Sequence, residues 1–152
     1  MSSAAEARFR LQAPNSLPRA IKVIALDAAG EAVVRRLDEA GRRHASFFLA
    51  RDASDLSLRD LAGGKRAVAA EVDAADLVVL IAGPGGQADA VSTIGEACSR
   101  RRVMTTGFIV GAAGAPEREL SSTLAQLRPW SLMLVVANSD DYIDDMLSAL
   151  RA

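Results

Sequence analysis

The sequence has little of the residues that most often carry chemistry or cross-links. It contains one cysteine, Cys98, and one histidine, His44, among 152 residues. A single cysteine cannot form an intrachain disulfide, so cysteine usage gives no support for an oxidising compartment. The usual Cys/His spacing of a metal site is also missing. We expect His44 to be a surface or turn residue, and Cys98 to be an inert packing residue on a helix.

The chain also lacks a strong charge of either sign and any long apolar run. It has 18 basic and 19 acidic residues, a formal net charge of -1, so no overall attraction draws it to nucleic acid or to an anionic membrane. No apolar run approaches the roughly 20 residues of a membrane span, and the N-terminus shows no apolar signal core. We therefore expect a cytoplasmic protein that binds neither nucleic acid nor membrane, with residues 1–19 as a flexible leader.

The motifs of common catalytic sites are missing as well. There is no G-x-S-x-G nucleophile elbow and no G-x-x-x-x-G-K-[ST] phosphate loop. Only Gly30 stands where a dinucleotide-binding fold would carry G-x-G-x-x-G. The acidic pairs Asp140/Asp141 and Asp144/Asp145 predict a solvated helix face or, alternatively, a site for a cation or a basic partner. We expect no catalytic residue and no metal site.

What is present is a repeated alternation of apolar strands with amphipathic helices. The predicted strands are Ala20–Leu26, Ala45–Ala50, Leu77–Ala82, Val103–Val110 and Ser131–Ala137. The predicted helices are Gly30–Ala40, Arg66–Ala75, Ala88–Arg100, Pro116–Leu127 and Asp140–Leu150, with Pro116 at the first helical position. The stretch from Arg51 to Gly64 is predicted to be a loop with at most a short helix.

This alternation predicts the fold class and the place of a binding site. Strands that are continuously apolar favour a parallel sheet covered by helices on both faces. We expect one α/β domain over residues 20–152, a three-layer, doubly wound, Rossmann-like parallel sheet of about five strands in the order 2-1-3-4-5. Its switch point lies between the first and third strands. The binding crevice should therefore lie between the loops Asp27–Gly30 and Gly83–Gly86.

The loop after the third strand, G-P-G-G-Q-A-D-A from Gly83, has the character of an anion site. Glycines let backbone N–H groups face a ligand, and the start of a helix adds partial positive charge. A plain tight turn between a strand and a helix is the alternative interpretation of the same residues. In the opposite loop, Asp27 would repel a phosphate.

Several segments, taken in order, resemble the nucleotide-binding domain of the FtsZ/tubulin family. I-K-V-I-A-L-D-A-A-G-E-A-V-V-R-R-L-D-E-A-G, from Ile21 to Gly41, is similar to the family's first strand, loop and helix. A-A-D-L-V-V-L-I-A-G-P-G-G at Ala74 is similar to the strand that leads into the signature loop, and I-G-E-A-C at Ile94 to the helix after it. L-A-G-G-K at Leu61 resembles a loop near the terminal phosphate. L-A-Q-L-R-P-W-S-L-M-L-V-V-A-N-S-D-D, from Leu124 to Asp141, resembles the strand that ends before the family's central helix.

The resemblance implies GTP, GDP or a related phosphate ligand and a set of residues that would hold it. Ala28, Ala29 and Gly30 would lie beneath the ligand, and Gly63 and Gly64 would close over it. Donors would come from four residues of the signature loop. These are Gly83, Gly85, Gly86 and Gln87. Glu117 and Arg118 would lie near the ribose.

The departures from the family pattern imply a degenerate, stand-alone domain. Asp27, Ala28 and Ala29 replace glycines, and Gly83–Asp89 is about two residues shorter than the signature loop and lacks its threonine. Base-recognition residues, the water-activating loop and the second domain have no counterpart here. We therefore expect weak nucleotide binding without hydrolysis. Two alternatives stay open. One is a protein-interaction or self-associating module with a vestigial site and with Trp130 and Tyr142 as candidate anchors; the other is an enzyme of unrelated chemistry in the same crevice.

Overall fold

The structure, a computed structural model, describes residues 19–50, 57–86, 88–138, 141–150 and 152. Nearly all of the predicted leader lies outside these residues. The strands are β1 (Ile21–Ala25), β2 (Ala45–Leu49), β3 (Ser57–Asp60), β4 (Lys65–Ala67), β5 (Leu77–Ala82), β6 (Met104–Val110) and β7 (Met133–Ala137). The helices are α1 (Ala28–Asp38), α2 (Val68–Asp73), α3 (Val91–Arg101), α4 (Glu117–Leu127) and α5 (Asp141–Ala149), with a short 3-10 helix at Arg128–Trp130.

One sheet organises the fold, with the strand order β4-β3-β2-β1-β5-β6-β7. Within the run β2-β1-β5-β6-β7, each pair of neighbouring strands is parallel. This confirms the predicted order of five parallel strands and the doubly wound class. All six residues of β5 are buried, as expected for a central strand with helices on both faces. The order reverses between β1 and β5, so a crevice opens at their carboxyl ends.

The segment predicted to be a loop, Arg51 to Gly64, contains a strand instead, and that prediction was wrong. Ser57–Asp60 pairs antiparallel with β2 and with β4, which raises the sheet from five strands to seven. Residues 51–56 lie outside the described part of the chain. The sequences S-L-R-D and K-R-A are short and polar. They become strands because tertiary pairing at the sheet edge overrides a weak local preference.

Four helices begin at residues other than those predicted. Helix α1 begins at Ala28, before the predicted Gly30, because Asp27 caps it. Pro116 has φ -59° and ψ 137° and is the cap of α4, not its first helical residue. Helix α2 begins only at Val68, since the residues before it pair in β4. Helix α3 begins at Val91 in place of Ala88.

The core has two layers, one on each face of the sheet. The first layer packs α2, α3 and α4 against residues such as Leu80 and Ile109. The second packs α1 and α5 against residues such as Val79 and Phe108. Cys98 is buried in the first layer, as predicted, and that burial raises the pKa of its thiol. In the described part of the chain, no helix has the length and apolar character that a membrane crossing requires.

Candidate functional site

The site begins with Asp27, which follows β1 and starts α1. Its backbone is extended, with φ -151° and ψ -175°, and its carboxylate accepts a hydrogen bond from the Gly30 N–H at 2.9 Å. Aspartate is among the preferred N-cap residues because its oxygen satisfies a free N–H of the first turn. The negative charge also suits the positive end of the helix dipole. Asp27 thus occupies, from within the chain, the place where a helix N-terminus would bind an anion.

The same carboxylate ties β1 to β5. The Gly83 N–H donates to the two carboxylate oxygens of Asp27, at 2.9 Å and 3.2 Å. Gly83 directly follows β5, so the bond joins the carboxyl ends of the two strands that flank the switch point. The N–H groups of Gly30 and Gly83 therefore both already face the Asp27 carboxylate.

Two glycines of this loop have no room for a side chain, because the Asp27 carboxylate lies against Gly86 and helix α1 lies against Gly83. A Cβ atom added to Gly86 would lie 1.8 Å from Asp27 Oδ2, and one added to Gly83 would lie 2.6 Å from the Cβ of Ala29. On α1, a Cβ at Gly30 would lie 2.2 Å from the carbonyl oxygen of Ile81. Contacts within the protein therefore account for these three glycines.

Thr123 of α4 holds the remaining part of the loop. Its hydroxyl accepts a hydrogen bond from the Gly85 N–H at 3.0 Å and donates to the Gly83 carbonyl at 3.4 Å. Thr123 is 1% exposed, so its bond to the Gly83 carbonyl is buried, whereas its bond from the Gly85 N–H is partly buried. The Gly86 N–H closes a turn onto the Gly83 carbonyl at 3.4 Å. All three glycine N–H groups of the loop thus donate to atoms of the protein.

A cleft of about 600 Å³ opens beside these contacts. Strand ends, the start of α1 and the glycine loop line it. The lining residues are Ala25, Leu26, Asp27, Ala28, Glu31, Leu49, Ala50, Gly85, Gly86, Asp89 and Ala90. The charged side chains in this described lining are all carboxylates, and Glu31 pairs with Arg35 at 3.0 Å. Among the described residues, no group of three or more His, Cys, Asp or Glu side chains could hold a metal ion.

The structure brings some of the predicted site residues together and keeps others apart. Ala28, Gly85 and Gly86 line the cleft, whereas Gly30 is buried beneath it. Gln87 lies outside the described residues. Glu117 and Arg118 are exposed at the start of α4 and do not appear in the described lining.

Gly63 and Gly64 also lie away from the cleft, in the turn between β3 and β4. Asp60 accepts hydrogen bonds there from the Gly64 N–H at 2.8 Å and the Ala62 N–H at 3.0 Å. The bond from Gly64 is the main cause that lowers the pKa of the Asp60 carboxyl. Gly63 has φ +94°, a backbone conformation that glycine adopts at low cost. The two glycines therefore form a structural turn.

Sequence reasoning missed the hydrogen bonds of Asp27 and the whole role of Thr123 in this site. Asp27 was recognised as a charge that would repel phosphate, but its hydrogen bonds to Gly30 and Gly83 were not foreseen. The cap could have been found from D-A-A-G, which places an N-cap residue three positions before the N–H that it accepts. Thr123 gave no comparable signal, because it lies 40 residues from the loop that it holds.

Comparison with known proteins supports the fold assignment. The chain matches no family model and no curated protein sequence. Among solved structures it is similar to a chain of an FtsZ dimer, empty, from M. jannaschii, with a TM-score of 0.58 and 14% sequence identity. That match covers 99% of this chain and 55% of the FtsZ chain, so the present chain spans about half of its length. The fold is therefore FtsZ/tubulin-like.

Proposed function

We propose that the chain is a non-catalytic protein-interaction module built on the FtsZ-type nucleotide-domain fold, with Asp27 in the place of a ligand phosphate. The observation that carries this proposal is the bridge that the Asp27 carboxylate makes between the N–H groups of Gly30 and Gly83. A ligand phosphate needs those donors, and here they are already used. Nucleotide binding would therefore have to break two hydrogen bonds before it made any.

Charge opposes a phosphate at the same place. Two like unit charges about 4 Å apart repel each other by about 4 kcal/mol at the effective dielectric of a protein surface. A hydrogen bond to a charged group contributes only about 1.5–3 kcal/mol. Glu31 and Asp89 add further carboxylates to the described lining. The repulsion thus exceeds what a single regained hydrogen bond would contribute.

Weak binding of GTP, GDP or a related phosphate ligand, without hydrolysis, is the second candidate function. The observation that favours it is the cleft of about 600 Å³ at the switch point, beside the exposed residue Gly85. In this case a cation would have to offset the charge of Asp27, or the carboxylate would have to move.

Thermal unfolding with and without millimolar GTP or GDP and Mg²⁺ separates the two candidates. A ligand at a hundredfold excess over its Kd stabilises a protein by about 2.7 kcal/mol. The interaction module is expected to show no change in melting temperature with either nucleotide. A rise in wild type that Gly85→Asp abolishes would reject the proposal and support the second candidate.

A pair of variants tests the role assigned to the carboxylate. Asp27→Ala frees the N–H groups of Gly30 and Gly83, so inorganic phosphate or pyrophosphate is expected to raise its melting temperature more than that of wild type. Asp89→Ala removes a cleft charge but frees neither of these donors, and it serves as the matched control. Equal anion responses in the two variants would show that general charge, and not filled donors, governs the site.

A further inference from the structure

We infer that this module self-associates through β7, which pairs antiparallel with β7 of a second copy about a two-fold axis. The inference names a partner for the proposed interaction function and rests on it. It is carried by the contrast between the two edges of the sheet, by the exposed side chains along β7, and by the charges at the two ends of that strand.

The two edges of the sheet differ sharply in how they are protected. At one edge, β4 has only three residues, Lys65, Arg66 and Ala67, in an antiparallel hairpin. Short strands and cationic side chains are the usual means of blocking pairing with other chains. At the other edge, the five residues of β7 are M-L-V-V-A, without charge or proline. Within the described chain, β7 pairs with β6 alone.

An apolar rim runs along β7 and the residues next to it. We define the rim by its exposed fractions, which are Met104 50%, Leu132 77%, Met133 52%, Val136 45% and Tyr142 53%. A domain of this size exposes single large apolar side chains as a matter of course, but three of these five, Leu132, Met133 and Val136, belong to β7 or directly precede it. The ring centroids of Tyr142 and Phe108 lie 5.9 Å apart. Phe108 is the β6 partner of Val135 on β7, so Tyr142 extends the rim beside this strand.

The strand is self-complementary under a two-fold axis. In a register centred on Val135, all five residues find a partner, with Met133 opposite Ala137 and Leu134 opposite Val136. Directly opposed residues in an antiparallel pair project from the same face of the sheet. The face that carries Met133 and Val135 would thus continue into the same face of the second copy. A closed two-fold dimer of this kind also removes the open edge.

The charges that flank β7 favour the antiparallel arrangement. Arg128 is exposed before the strand, and Asp141 is exposed after it. Antiparallel pairing brings the end that carries Arg128 close to the end of the second copy that carries Asp141. A parallel arrangement would instead place like charges together at both ends. Electrostatic complementarity therefore selects one orientation of the two copies.

Sedimentation velocity over a range of protein concentrations tests the inference. A pair of five-residue strands buries a small area, so we expect a dissociation constant of about micromolar size and a mass that doubles between about 1 and 100 µM. Val136→Lys and Met133→Lys place a charge on opposite faces of β7, and both variants are expected to stay monomeric. Ala125→Lys, at an exposed position on α4, makes the same charge change away from the strand and should dimerise like wild type.

Each outcome decides for or against the dimer. Hydrogen exchange should slow at the β7 amides of wild type as concentration rises, and not in Val136→Lys. A wild type that stays monomeric at about 100 µM, or a dimer that both lysine variants leave intact, would overturn the inference. Two variants are used so that misfolding of one, seen by circular dichroism, leaves the other as the test. Sedimentation is run without nucleotide, so a monomeric result overturns the dimer alone, whereas a nucleotide-dependent rise in melting temperature rejects the proposed function.

Discussion

Asp27 shows how one side chain can satisfy backbone N–H groups of two loops where parallel strands end. Its carboxylate supplies the negative charge that the start of α1 favours and the acceptor that the Gly83 N–H requires. In the loop after β5, Gly86 has no room for a side chain because this carboxylate packs against it. A glycine-rich loop is therefore not sufficient to identify a phosphate site, since close packing within the chain requires the same residues.

The first prediction concerns the strength of this bridge. Asp27→Ala should lower the free energy of unfolding by about 1–3 kcal/mol, because a lost cap costs about 1 kcal/mol and the Gly83 N–H loses a charged acceptor. Urea denaturation at neutral pH measures the change. Asp38→Ala, at an exposed position near the other end of α1, is the control and should change the value by less than about 0.5 kcal/mol. Equal losses in both variants would contradict the bridge.

At the scale of residues, the sequence could indicate the loops of the site but not their bonds. Asp27 and Gly83 were both placed at the predicted crevice, because strand ends follow from the apolar pattern. Their bond spans 56 positions and depends on how β1 and β5 align. Thr123 was missed entirely, since its role exists only once α4 packs beside the loop. Local patterns place residues at an edge of the sheet, whereas tertiary geometry decides which donor meets which acceptor.

At the scale of elements, α5 is fastened to the first half of the chain by arginines. Arg36 donates to Asp144 Oδ2 at 3.0 Å, and Arg42 donates to Asp144 Oδ1 at 3.4 Å and to the Ser148 hydroxyl at 3.2 Å. The Arg42 side chain is only 13% exposed, so this contact is partly shielded from solvent. The acidic face predicted for this helix is thus not uniformly solvated.

The second prediction compares two neighbouring acids on α5. Asp144→Ala should destabilise the protein by about 0.5–1.5 kcal/mol, because it removes a carboxylate shared by two arginines, one of them largely buried. Asp145→Ala makes the same charge change at an exposed position and should have almost no effect. Denaturation at low salt and at about 1 M salt should show a smaller difference at high salt, since screening weakens the ion pairs. No difference between the two variants at low salt would rule out the fastening role.

The elements that sequence reasoning predicted well are those with a clear hydrophobic pattern. The strand Leu77–Ala82 was predicted at its observed bounds because six consecutive apolar residues leave little ambiguity. The hairpin of β3 and β4 was missed because Arg59, Lys65 and Arg66 give its strands a polar composition. An edge strand is solvated on one side, so composition alone does not distinguish it from a loop.

At the scale of the whole molecule, the sheet divides the described core into two apolar layers. Cys98 lies in the first of these layers and is 1% exposed. Burial is the main cause that raises the pKa of its thiol, so the folded protein keeps the proton to a higher pH than an unfolded chain does. Its stabilising effect is full below the ordinary cysteine pKa and is lost as pH rises through the raised value.

The third prediction uses the alkylation rate of the Cys98 thiol to report how readily the folded protein unfolds. At pH 8, an alkylating reagent should react with Cys98 in the native protein far more slowly than in urea, because both access and thiolate fraction are reduced. Mass spectrometry over time measures the rate. The variant Asp27→Ala should react faster than wild type at the same pH if exposure requires global unfolding. Native labelling as fast as labelling in urea would contradict the buried position of Cys98.

The overall architecture was the part most open to prediction from sequence. Alternating strands and helices restrict an α/β chain to few topologies, because crossovers are right-handed and parallel strands need helical covers. The resemblance of Ile21–Gly41 and Ala74–Gly86 to FtsZ pointed to the same fold that the structural comparison supports. The surface along β7 was not foreseen, because exposure at a sheet edge depends on which strand is left without a neighbour.

The bond between Asp27 and Gly83 also has a consequence for folding kinetics. It joins positions 56 residues apart, so it forms only after β1 and β5 have found each other. Closing a loop of this length costs entropy, which opposes early formation of such a contact. An interaction absent from the transition state slows unfolding and leaves the folding rate nearly unchanged. We therefore expect the Asp27 carboxylate, which lines the crevice, to lengthen the lifetime of the native molecule and to leave the speed with which it forms nearly unchanged.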